Sequence, residues 1–298
     1  MFKTKQSRAV AGGAATALVV ALLAGALLIG GAPARRAWRQ SRMQRAASAH
    51  YLVMASPRLA SSQALERFAS GREAVFAPLD SKLGARASDA RIKIIFDEHF
   101  DEEFAPDPET AGAPREYEVL GAEIRAKPSG TTLELDPAAD AAAILHAVWG
   151  RPASPVIARW AAIGLTGQWR GEDLGIAAAR VAQKFGHQTI AALVQPAIEA
   201  PPAGSPSPAG PPSALLAPLS EQDRALMGGA WMSAVAELGG AAAAHKLYSK
   251  LPAPDPVEAA NLLGTTPAEL ERTWQMWIYA HLIGLPLPAP PTVHDHAH

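Results

Sequence analysis

The stretch Ile144-Leu-His-Ala-Val-Trp-Gly150 decides how the rest of the chain is read. Upstream, Asp136-Pro137 is an N-cap followed by proline at the first helical position. Gly150 is a stop, so residues 137–149 are predicted as one helix carrying His146. A zinc-binding helix of the H-E-x-x-H type needs two His at i and i+4 on one face. It also needs a Glu after the first His as general base, and a third ligand from the following helix. Here His146 is present, but Ala147 stands at the base position, Gly150 at the second ligand position and Ile163 at the third. None of those three has a side-chain donor, and without the Glu nothing activates a water. These are vestigial positions: the chain offers no catalytic residue and no metal ligand set by this route.

The segments around this helix carry a resemblance. His50-Tyr-Leu-Val-Met54 is similar to an opening strand, residues 64–83 to a first helix, and Arg91-Ile-Lys-Ile-Ile-Phe-Asp97 to a second strand with its acidic turn at residues 98–104. Thr131-Thr-Leu-Glu-Leu-Asp136 is similar to the strand before the metal helix. Residues 155–168, with Trp160-Ala-Ala-Ile-Gly-Leu165, are similar to the third-ligand helix, and residues 255–278 to the closing helices. In order and spacing, residues 49–284, about four fifths of the chain, resemble the peptidase MA-like domain of the gluzincins, as a degenerate member lacking most zinc ligands.

That resemblance implies an α+β fold: a small mixed sheet with an active-site-type helix, as in thermolysin, then a helical lobe, on an N-terminal transmembrane helix. It implies a catalytically inactive pseudopeptidase that binds or assembles proteins or peptides in an inter-lobe groove. No cofactor is then expected. The alternative is an active zinc metallopeptidase with non-standard ligands. In the family, the strand before the metal helix pairs with extended substrate by strand addition. The resemblance carries that role to Thr131, Thr132, Leu133, Glu134 and Leu135.

Composition sets outer limits. The 298 residues are 49% apolar, enough for a substantial core. A net charge of −1 argues against nucleic acid, whose phosphates call for an excess of Lys and Arg. With no Cys, disulfides, thiolate metal sites and a Cys nucleophile are excluded.

Residues 1–8 are basic, and residues 9–32 form an uncharged run that as a helix would span roughly 36 Å, enough to cross a bilayer. This predicts a single-pass membrane anchor or a long signal peptide, followed by a basic stalk at residues 33–48. The five arginines after the run put the folded part in the cytoplasm by the positive-inside count. The signal-like start and the family resemblance put it outside, in an extracytoplasmic or periplasmic space.

The remaining organisation is a lobe at residues 49–198, a Pro/Ala/Gly/Ser-rich insertion at 199–219, a helical lobe at 220–284 and a Pro-rich tail at 285–298. Strands are predicted at 50–54, 93–96, 117–124 and 131–135. Helices are predicted at 175–185, 188–198, 220–238, 241–250, 256–263 and 270–283, the last opened by the capping box Thr266-Pro-Ala-Glu269. Trp149, Trp160, Trp169, Trp231, Trp274 and Trp277 read as core between lobes. The acidic turn around His99 and the tail histidines His294, His296 and His298 are weaker candidates for cations.

Overall fold

The computed structural model describes residues 31–83, 89–103, 116–129, 133–186, 189–193 and 219–284. Its N-terminal half is a five-stranded mixed sheet in the order β1-β2-β3-β5-β4. The strands are β1 (Gln44–Ala47), β2 (Tyr51–Ala55), β3 (Ile92–Phe96), β4 (Tyr117–Leu120) and β5 (Glu123–Ala126). The three central strands β2, β3 and β5 run parallel, and the two outer strands are antiparallel to their neighbours. Parallel neighbours need a crossover, and α2 (Ser62–Leu83) supplies the one between β2 and β3, following α1 (Gly31–Ser41) in the chain.

Alternation along the strands sends Tyr51, Val53, Ile92, Ile94 and Phe96 into the main core. There Phe68 of α2 meets Phe96 edge-on at 5.3 Å, and Phe76 meets Tyr51 at 6.1 Å. The opposite face is partly charged. Lys93 Nζ donates to Glu123 at 2.9 Å and to Gln40 of α1 at 3.3 Å, and Arg125 Nε donates to Glu123 at 2.8 Å.

Two expectations about the N-terminus are overturned. No helix among the described residues is long and apolar enough to cross a membrane, so the single-pass membrane localisation and the transmembrane part of the fold class are corrected. The described helix at the end of the predicted anchor, α1, runs over Gly31–Ser41 and is rich in arginine. The rest of the predicted anchor, residues 9–30, lies outside the described residues. Residues 33–48 are not a stalk either. They form α1 and β1, and β1 pairs with β2 along Gln44–Ala47, so this segment belongs to the sheet.

After a short α3 (Phe100–Glu103), the predicted strand at 117–124 is a hairpin. It folds at Gly121, whose φ of 69° is the left-handed conformation that glycine adopts freely. The predicted strand at Thr131–Leu135 is not one: residues 133–135 are irregular, and 130–132 lie outside the described residues. The helix predicted at 188–198 reduces to a 3₁₀ turn at Ala191–Leu193, beyond which the chain is not described.

The helical part contains α4 (Pro137–Trp149), α5 (Pro155–Thr166), α6 (Leu174–Phe185), α7 (Glu221–Lys250), α8 (Pro256–Leu263) and α9 (Pro267–Ile283). A hairpin of β6 (Gln168–Trp169) and β7 (Glu172–Asp173) joins α5 to α6. The capping box at Thr266 and Glu269 is present with both reciprocal hydrogen bonds. Trp160, Trp231, Trp274 and Trp277 are buried, with Trp160 edge-on to Trp231 at 6.0 Å.

The seam between α5 and α7 depends on missing side chains. A Cβ at Gly228 would lie 2.1 Å from the Trp160 ring, and one at Gly229 only 2.3 Å from Ile163 Cγ2. At Gly164 a Cβ would meet the Gly229 carbonyl oxygen at 2.7 Å. The helices therefore approach backbone to backbone, with Trp160 and Ile163 filling notches left by glycine.

Candidate functional site

The four vestigial positions have separate surroundings. His146 is half-buried in the last turn of α4, and its ring lies against the β4–β5 turn, where a Cβ on Gly121 would be 3.4 Å from its Nε2. Ala147 is exposed on the same helix. Gly150 is not on the helix face at all. It is the cap residue, with φ 83° and ψ −157°, its N–H donating to the His146 carbonyl at 3.0 Å. Its own carbonyl accepts from the Tyr248 hydroxyl at 3.1 Å. Ile163 is buried and committed to the Gly229 notch. Among the described residues, no group of three or more His, Asp or Glu side chains is placed to hold a metal ion.

The sheet has two outer strands, β1 and β4, and the β4 edge is the one next to a groove. The Lys127 amide donates to the Glu116 carbonyl at 2.8 Å, and Glu118 and Leu120 are in register with Arg125 and Glu123. In an antiparallel pair, hydrogen-bonded positions alternate with positions whose backbone groups point away. Tyr117 and Val119 therefore turn their N–H and C=O groups to the outer side, where no described strand pairs with them.

Beside this edge lies a groove of about 740 Å³. Phe68, Tyr117, Leu133 and Leu135 supply apolar wall, Glu116, Glu134 and Asp136 bring negative charge, and the lining cations Arg72 and Lys127 are paired with Asp140 and Asp101. The five residues expected to form a substrate-pairing strand fall into two groups. Leu133, Glu134 and Leu135 do line the groove, as wall and not as strand. Thr131 and Thr132 lie outside the described residues.

The groove floor is held by a buried charge pair. Arg72 of α2 forms an ion pair with Asp140 in the first turn of α4, and its Nη1 donates to the Leu135 carbonyl at 3.0 Å. Asp140 is fully buried, a position that a carboxylate occupies only with a partner. Burial lowers the pKa of Arg72, opposed by Tyr51 and Asp136. Tyr117 is pushed up to about 12 by burial and by the nearby Asp136 carboxylate, so its hydroxyl stays protonated at neutral pH.

The sequence reading missed Tyr117 and Val119 as edge residues because the alternating run at 117–124 looks continuous. Gly121 was the available signal, since a lone glycine within a strand pattern marks a turn or bulge. Among the described side chains, the acidic turn near His99 holds no convergent site. Asp97 caps the His99 amide at 2.9 Å, Glu98 accepts from Ser56 at 2.6 Å, and Asp101 pairs with Lys127 at 2.5 Å. The tail histidines lie outside the described residues.

No family model matches the chain, and neither does any curated protein or solved structure. Neither these comparisons nor the described site supports a peptidase or gluzincin identity.

Proposed function

We propose that the protein binds an extended polypeptide segment without hydrolysing it, the segment adding as a strand to the outer edge of β4 above the adjoining groove. The observation that supports this most directly is the outward-facing backbone of Tyr117 and Val119 beside a groove with apolar walls. Strand addition takes its affinity from main-chain hydrogen bonds and its specificity from pockets for alternate side chains. The Glu134 and Asp136 carboxylates favour a segment that carries a basic side chain. The non-hydrolytic half is favoured by the separate surroundings of His146, Ala147, Gly150 and Ile163, three of which carry no donor side chain.

The test is selection of peptides from a random display library on the purified protein, followed by titration against Val119→Pro. Proline removes one outward N–H and is tolerated on edge strands. Selected peptides should bind wild type and lose at least about tenfold affinity for the variant. Equal binding by both proteins would overturn the edge model. Stoichiometric zinc with chelator-sensitive cleavage of the peptides would overturn the non-hydrolytic assignment and restore the metallopeptidase alternative.

A further inference from the structure

A second cleft lies where the end of α2 meets the β6–β7 hairpin and α6, α7 and α9, and it shares no lining residue with the β4 groove. Its volume is about 280 Å³. That is just below the range of about 300–1,000 Å³ usual for sites that take drug-sized ligands, so the occupant it suits is a small metabolite.

Both signs of charge line it. Lys82 Nζ donates to the Leu165 carbonyl at 2.8 Å. An ammonium has three donors, and Lys82 has no carboxylate at ion-pair distance among the described residues. Glu237 and Asp173 are the carboxylates whose fields reach it. Glu237 is fixed in orientation, one oxygen accepting from Ser233 Oγ at 3.1 Å and the other from Trp277 Nε1 at 2.9 Å. Each oxygen keeps acceptor capacity beyond those bonds.

His281 completes the wall. Its Nδ1 lies 2.9 Å from the Trp277 carbonyl, which only accepts, so that nitrogen carries hydrogen and Nε2 is left to the cleft. The ring stands so close to α6 that a Cβ at Gly175 would be 2.2 Å from it.

One ammonium and two carboxylates make this cleft net negative, and the ammonium is not within ion-pair distance of either carboxylate. A ligand with a single negative charge would face Glu237 and Asp173, and one with a single positive charge would face Lys82. A molecule that carries both charges a few bonds apart satisfies both walls. We propose that this cleft binds a small zwitterion of the α-amino acid class, its carboxylate on Lys82 and its ammonium on Glu237 beside the Trp277 indole.

The probes are the proteinogenic amino acids at millimolar concentration, added to the full chain in calorimetry and thermal-shift measurements. At least one small member should bind and raise Tm, because a ligand that binds only the folded state stabilises it. Lys82→Met and Glu237→Gln should each weaken that binding at least about tenfold. Gln retains an acceptor for Trp277, and circular dichroism checks that both variants are folded. The N-acetyl and carboxamide derivatives of the same amino acid, each with one charge removed, should fail to bind. The assignment is overturned if no amino acid binds, if either derivative binds as tightly as the parent, or if both variants retain wild-type affinity. Val119→Pro should leave this binding unchanged, so the two site readings fail separately.

Discussion

The α5–α7 seam and the β4 edge are both apolar, and they use that character in opposite ways. At the seam, Gly164, Gly228 and Gly229 remove every atom that would keep two helices apart, and Ile163 and Trp160 fill the space. At the edge, Tyr117 and Val119 are only half-buried and their outward backbone groups have no partner among the described strands. The contrast separates two costs. A change at the seam is paid in folding stability, because close-packed interiors relax little. A change at the edge should leave the fold intact and alter what the protein can hold.

The sharpest way to break this contrast is Ile163→Glu, which puts a carboxylate into the Gly229 notch with no cation beside it. An unpaired buried charge should destabilise by about 3–5 kcal/mol, read as a lower denaturation midpoint in urea. Wild-type stability for this variant would mean that the seam is looser than the glycine contacts indicate. Gly164→Ala comes next. Its Cβ would press on the Gly229 carbonyl oxygen, a backbone atom that cannot swing aside, at an expected cost of about 1–3 kcal/mol.

At the edge, Val119→Pro should cost about 1 kcal/mol, because the half-buried Val119 side chain packs partly against the core, while removing peptide binding. If it unfolds the protein instead, β4 is held by more than its pairing with β5.

A pH series probes each side of the comparison through one tyrosine. Tyr117 at the groove and Tyr248 beneath the α4–α5 loop are both raised from 10.0 to about 12, burial being the leading cause in each case. A tyrosine whose folded pKa is raised contributes stability that is complete below the unfolded value and is lost as pH rises through the folded one. Stability should therefore fall between about pH 10 and 12. Tyr117→Phe and Tyr248→Phe should each flatten part of that fall, which denaturant midpoints measured at stepped alkaline pH would resolve.

How much was legible beforehand follows from what each element depends on. The caps were readable because Asp136-Pro137, Thr266-Pro267 and the glycines after α4, α8 and α9 act locally. The strands at 51–55 and 92–96 were readable from β-branched and aromatic runs. β1 was not, since Gln-Arg-Ala-Ala has no strand propensity and pairs only because β2 lies beside it. For the candidate site, the segment at 133–135 was read as a strand edging an inter-lobe groove, whereas it is irregular chain lining a groove within the N-terminal lobe. That role passes to the hairpin arm before Gly121, because an edge is a property of sheet order, which no local pattern encodes. The use of Ile163 was equally hidden, since its notch is made by a glycine 66 residues away in sequence, Gly229.

The smallest expected effect is also the one that tests the metal-site outline. Ala147 is exposed on α4 and Glu is a good helix former, so Ala147→Glu should stay within about 0.5 kcal/mol of wild type. Gly150→His is different: its backbone, at φ 83° and ψ −157°, is in a region open essentially only to glycine, so a strain of about 1–3 kcal/mol is expected. Ile163 is unavailable for the reason given by its notch. A zinc titration of the Ala147→Glu variant should therefore show no stoichiometric site, because position 147 is the base position and not a ligand, and no described group places further donors around His146. Tight stoichiometric zinc in that variant would show that side chains outside this outline converge on His146, and the helix end would have to be read as a working metal centre after all.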